Sequence, residues 1–250
     1  MRSSSEPASS ASALPSASAA TPLPPPLAST EEVVSLAVEG FRDAAVSLPR
    51  GATDKRPVIV ALHGNYDRPE WQCEVWRDAL RPRAFILCPR GMPRGDVSAR
   101  EDRWTYGAVR DLAREVQAGM DALVRRYPDY VDRTNPVLIG FSLGAILTVH
   151  WLGQEDFPFR RMVLVEGGHA GWSAKRSKAL TPDGRVLFAC GQGACRATTA
   201  AAVRALQKQG VASEGVGVND AGHTYDGKVA SAVQSRWNWL VDGDPRFAQH

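Results

Sequence analysis

Pro136-Val137-Leu138-Ile139-Gly140-Phe141-Ser142-Leu143-Gly144-Ala145-Ile146-Leu147 runs from an apolar, partly β-branched segment through Gly-x-Ser-x-Gly into small and apolar residues suited to a helix. The pattern predicts a strand, a sharp turn and a helix, with Ser142 at the tip of the turn. Gly140 and Gly144 are required because strand and helix pass too close for a Cβ at either place. A hydroxyl at such a tip is held in a strained backbone conformation above the carboxyl end of a sheet, as a nucleophile needs. The Leu143 amide, at the helix start, points at the same spot and suits a developing oxyanion. The plainer alternative is a tight turn capped by a serine.

Working outward, residues 57–62 (Pro-Val-Ile-Val-Ala-Leu) and 84–89 form continuous apolar runs, as expected of strands buried on both faces. A helix is predicted over 70–80. A second is predicted over 107–127, where Val109, Leu112, Val116, Met120, Leu123 and Val124 recur at spacings of three and four before Pro128 ends it. Strands follow at 162–165, 186–189 and near 215–218, with helices at about 197–209 and 228–241. Two short alternating stretches, 33–38 and 44–48, predict an antiparallel entry hairpin. Strands alternating with helices imply right-handed crossovers and a mostly parallel central sheet with helices on both faces, an α/β fold. About twenty residues separate the strands at 162 and 186, too few for a large lid.

Composition excludes several classes. Lys and Arg number 30 against 27 Asp and Glu, and they are interleaved rather than massed, so no nucleic-acid partner is expected. No apolar run is long enough to span a bilayer. Residues 1–30 are dominated by Ser, Ala and Pro and are expected to be a disordered tail, leaving 31–250 as the folded domain. Met1-Arg2 leads into Ser with no apolar signal region, so either an upstream segment is missing or the protein is cytoplasmic with a loose tail. The four cysteines allow the pairs Cys73–Cys88 and Cys190–Cys195, which would favour a secreted, periplasmic or lipid-anchored protein, or four separate buried thiols. There is no metal-ligand spacing, and neither metal nor cofactor is expected.

His223, in Asn219-Asp220-Ala221-Gly222-His223-Thr224, falls between the last strand and the last helix. A general base for Ser142 is expected from such a loop, and the order Ser then His suits the arrangement. Together, Leu62-His63-Gly64-Asn65, Gly140-Phe141-Ser142-Leu143-Gly144-Ala145 and Ala221-Gly222-His223-Thr224 resemble the α/β-hydrolase superfamily. The nearest likeness is to its lidless esterases: the dienelactone-hydrolase, phospholipase/carboxylesterase and polyhydroxybutyrate-depolymerase-like groups. The resemblance covers residues 35–241. It implies that the backbone after His63-Gly64 supplies a second oxyanion donor beside Leu143, from Asn65 or Tyr66.

Those families place an Asp after the seventh strand. Here that loop is Gly191-Gln192-Gly193-Ala194-Cys195-Arg196, without an acid. Glu166, directly after the sixth strand, keeps the order nucleophile, acid, base, and is the candidate acid; Gln192 orienting a Ser–His dyad is the other option. Trp172, His169, Trp104 and Tyr106 are candidates to line the substrate cleft, against the alternative of packing under loops. The resulting expectation is a serine carboxylesterase acting on small or short-acyl esters. The alternative is a non-catalytic binding protein on the same scaffold that has lost its acid.

Overall fold

Among the described residues ten strands and six helices follow one another along the chain, and the apolar runs become the middle of one sheet. The computed structural model describes residues 23–81 and 83–247. In order the elements are β1 (Val33–Leu36), β2 (Ala44–Ser47), β3 (Arg56–Leu62), α1 (Pro69–Leu80), β4 (Phe85–Cys88), β5 (Met92–Pro93), β6 (Trp104–Thr105), α2 (Val109–Arg126) and β7 (Val131–Phe141). They continue with α3 (Leu143–Trp151), β8 (Arg161–Val165), α4 (Ala174–Lys178), β9 (Arg185–Cys190), α5 (Gly193–Lys208), β10 (Ala212–Gly217) and α6 (Gly227–Val241). The main sheet has the order β1-β2-β4-β3-β7-β8-β9-β10. From β4 to β10 the pairing is parallel, and the β1–β2 hairpin adds an antiparallel margin.

The period-two alternation of β3 divides the core. Val58, Val60 and Leu62 face a layer built with Leu138, Leu164 and Phe188 and covered by Leu112 and Leu123 of α2 and Leu206 of α5. Ile59 and Ala61 face the other layer, with Ile139, Val163 and Leu187 beneath Trp76 of α1 and Trp237 of α6. Each large apolar side chain so buried contributes roughly 1.5–3 kcal/mol. In α2 the buried Leu112, Val116, Met120 and Leu123 form the expected stripe. Only the short α4 interrupts the segment between β8 and β9, so no lid domain is inserted there. Among the described residues no helix is long and apolar enough to cross a membrane.

Three local expectations need correction. The elbow strand begins at Val131, well before Pro136, because Val131 and Asp132 pair with Arg56 and Pro57 across a register shift. Helix α5 begins at Gly193 rather than near Ala197. The expected loose tail lies mostly outside the described residues, but its last part is docked. Leu27 is buried and exchanges backbone hydrogen bonds with Gly51 and Ala52, and Tyr130 donates its hydroxyl to the Pro25 carbonyl. Both cysteine pairs are disulfides: Cys73–Cys88 joins α1 to β4, and Cys190–Cys195 joins the end of β9 to the first turn of α5.

Candidate active site

Ser142 sits between β7 and α3 with φ 48° and ψ −109°, a left-handed conformation that a side chain tolerates only when its surroundings enforce it. The enforcement is visible in three contacts. A Cβ at Gly140 would lie 2.8 Å from the Ala145 nitrogen, and one at Gly144 would lie 2.6 Å from the Leu62 carbonyl oxygen. The Ser142 N–H donates to Val165 O of the neighbouring strand at 2.8 Å. Strand, turn and helix are thus locked together, and the serine side chain is directed out of the sheet.

His223 Nε2 lies 2.9 Å from Ser142 Oγ. The ring packs against Phe141, with centroids 5.0 Å apart, and its outer side is open to solvent. On the far side of the imidazole, Glu166 Oε2 stands 3.6 Å from Nδ1. That is within ion-pair reach and longer than a hydrogen bond. The Glu166 side chain is fully buried at the end of β8, with φ 52°, and Oε2 makes no hydrogen bond within the described structure. Its other oxygen, Oε1, accepts the N–H of Gly191 and the N–H of Gln192, the latter at 3.0 Å. The loop expected to carry the acid instead donates two amides to an acid on the neighbouring strand. Gln192 takes part through its backbone.

The opposite wall is the segment Gly64 to Arg68. A Cβ on Gly64 would fall 2.7 Å from the Phe141 ring and 3.3 Å from Ser142 Cβ, so this backbone runs beside the nucleophile. Leu143, first residue of α3, has no intrahelical acceptor for its N–H. The Asn65 N–H makes no hydrogen bond among the described residues. Tyr66 is the correction here: its N–H is committed to the Trp104 carbonyl at 3.0 Å. Of the two amides expected after His63-Gly64, the one on Asn65 is left uncommitted.

Buried side chains hold this wall. Asp67 accepts the Gly64 N–H at 3.4 Å, the Arg68 N–H at 2.8 Å, Gln72 Nε2 at 3.3 Å and the Tyr225 hydroxyl at 3.2 Å. Burial, and then the Asp67 carboxylate, push the Tyr225 phenol far above its ordinary range, which keeps it a neutral donor. His63 is buried between the Gly64 and Arg90 carbonyls, at 2.7 and 2.9 Å, and stacks on Tyr106. Burial lowers its pKa, against the two carbonyls and the Asp67 charge, which favour the protonated ring.

Of the four residues expected to line a cleft, three are spent in packing. Tyr106 is buried, accepts the His63 N–H and donates to Pro89 O at 2.9 Å. Trp104 braces Asp67 through its backbone and donates its indole N–H to Asp102. Trp172 donates to Gly168 O at 2.8 Å and meets Phe188 edge-on. His169 differs. It follows Gly167 and Gly168, which press on the Ser142 and Ala145 carbonyls, and its Nδ1 is buried without a partner among the described residues.

Sequence reading missed Asp67 and the Gly191 and Gln192 amides. The one local signal for Asp67 was its place four residues after His63, in the loop leaving a buried strand.

With this geometry in view, the comparisons agree on the fold. The profile of the family described as "Alpha/beta hydrolase family" matches residues 59–249, and the chain belongs to that family. Among solved structures it is similar to a carboxylesterase from Mesorhizobium loti, at TM-score 0.58 and 18% identity over 85% of this chain and 100% of that one. It is also similar to the Bacillus cereus carboxylesterase, at TM-score 0.56 and 16% identity over 81% of this chain and 95% of that one. At such identities the likeness concerns the fold. A search of curated proteins finds no match.

Proposed function

We propose that the protein is a serine carboxylesterase acting on small or short-acyl esters. The observation that carries this reading is the 2.9 Å approach of His223 Nε2 to Ser142 Oγ at a strained strand-to-helix turn. In the reaction, His223 takes the Ser142 proton as Oγ attacks the ester carbonyl. The amides of Leu143 and Asn65 receive the oxyanion. Collapse of the tetrahedral intermediate expels the alcohol, which takes the proton from His223, and leaves an acyl-serine. Water, deprotonated by the same imidazole, then releases the acid.

Glu166 is the orienting carboxylate in this reading. Its free oxygen faces Nδ1 at 3.6 Å, and catalytic hydrogen bonds are often long before substrate binds. Accepting a hydrogen bond from Nδ1–H would leave Nε2 unprotonated as the acceptor for the serine hydroxyl. The open outer side of His223 and the absence of a lid domain between β8 and β9 favour short acyl groups over long chains.

The test is covalent labelling of the folded protein with a fluorophosphonate, beside hydrolysis of a p-nitrophenyl ester series from acetate to octanoate. Ser142 is expected to be the labelled residue, Ser142→Ala to lose both label and turnover, and turnover to fall with chain length. A folded wild-type protein that resists the label refutes the reading. The same 3.6 Å gap favours the second reading, a binding protein on this scaffold, which predicts no label and no turnover on any ester.

A further inference from the structure

The acid-holding loop and the base loop belong to different segments, one after β9 and one after β10, yet several contacts make them one unit. Val218 N–H donates to Cys190 O at 2.8 Å. Arg196, in the first turn of α5, donates from the same Nη1 to Gly191 O at 3.0 Å and to Val218 O at 2.6 Å. Its stem lies over Gly217, where a Cβ would come 2.5 Å from Arg196 Cδ. Gly191 faces the His223 loop so closely that a Cβ there would sit 2.4 Å from the Gly222 carbonyl oxygen. The Cys190–Cys195 bond closes a ring around Gly191 and Gln192, whose two amides hold Glu166.

A loop with Gly at 191 and 193 has much backbone freedom to lose, and without constraint it would not keep two N–H groups aimed at one carboxylate oxygen. We infer that the Cys190–Cys195 disulfide and Arg196 form a positioning clamp that sets the geometry of Glu166 against His223. The disulfide fixes the two amides on the acid, and the guanidinium ties the base loop to the same backbone. Neither touches the reacting atoms. This inference rests on the serine-hydrolase reading above.

Two variants test the clamp: Arg196→Met, which keeps the stem and removes the donors, and the double change Cys190→Ala with Cys195→Ala. Each is expected to lower kcat by about 10- to 100-fold with KM held within about threefold, because displaced groups affect the transition state more than binding. Amide hydrogen exchange at Gly191 and Gln192 is expected to rise about tenfold in both, as local opening becomes easier. The double change Cys73→Ala with Cys88→Ala is the control. It removes a disulfide elsewhere and is expected to lower Tm while leaving kcat and those two amides as in the wild type. Unchanged kcat and exchange in folded variants overturn the clamp, and so does an equal loss of kcat in the control. A wild type without ester turnover refutes the hydrolase reading instead, and exchange at the two amides still decides whether the clamp exists.

Discussion

The two walls beside Ser142 are held by different means. The Gly64–Arg68 wall leaves β3, in the middle of the sheet, and a buried carboxylate collecting four donors fixes it. The Glu166–His223 wall lies toward the free edge, where β10 alternates exposed and covered residues and offers little interior to bury a side-chain network. There the holding is done by backbone amides, a guanidinium and a disulfide. One wall thus rests on a shared buried Asp and the other on main-chain donors around a buried Glu with covalent restraint beside it.

The sharpest way to break this comparison is to strike each wall at its carboxylate. Glu166→Gln keeps shape and removes charge, and is expected to cost about 10³-fold in kcat with little change in KM or Tm, because a neutral amide no longer selects the Nδ1–H tautomer of His223. Asp67→Ala should act in the opposite proportion. It orphans several buried donors and is expected to cost about 2–4 kcal/mol of stability, read by urea unfolding, with kcat reduced about tenfold or less. If Asp67→Ala lost turnover as deeply as Glu166→Gln while staying as stable as the wild type, the division of labour would be wrong.

Legibility in the sequence follows how local each constraint is. The elbow could be read because Gly140, Ser142 and Gly144 carry their steric reason within five residues, and the strands because Val58 to Leu62 are apolar without a break. His223 is legible from its loop between the last strand and the last helix together with chain order, and Glu166 from its place after the sixth strand beside a Gly191–Arg196 loop that holds no acid. The Asp67–Tyr225 bond spans 158 residues and has no periodic signature. Nor does residue type say which side of a loop is packed: Trp104, Tyr106 and Trp172 look like cleft aromatics and are braces. The Tyr66 N–H goes to the Trp104 carbonyl beside a β-bridge between Asp67 and Trp104 that nothing in either segment announces.

The two disulfides sharpen the contrast at a smaller scale. Cys73–Cys88 lies under α1, in the deep part of the core, and closes a sequence separation of 15 residues. Its replacement by two alanines is expected to cost about 3 kcal/mol of stability, from the entropy returned to the unfolded chain. Turnover at a temperature below the transition should not change. A fall in kcat at that temperature would mean that restraint in the core also reaches the chemistry.

The smallest effect probes the deep wall through pH. Glu115 of α2 is buried and accepts the Gly91 N–H at 2.8 Å, beneath the Arg90 carbonyl that faces His63. Burial raises its pKa, although the amide hydrogen bonds and the Arg90 charge oppose the shift. A carboxyl raised in the folded state binds its proton there more tightly than in the unfolded chain. Its contribution to stability is therefore fully present below the unfolded value and is lost as pH rises through the folded one. Glu115→Gln keeps an acceptor for Gly91 and removes the titration. Between the ordinary carboxylate pKa and neutrality, the wild type is expected to lose stability relative to Glu115→Gln as pH rises, read as diverging Tm values. Below pH 4 the two should converge to a constant offset. A Tm difference that stays flat across the range would show that Glu115 is paired well enough for its burial to cost nothing, and that the deep wall tolerates charge as readily as the edge.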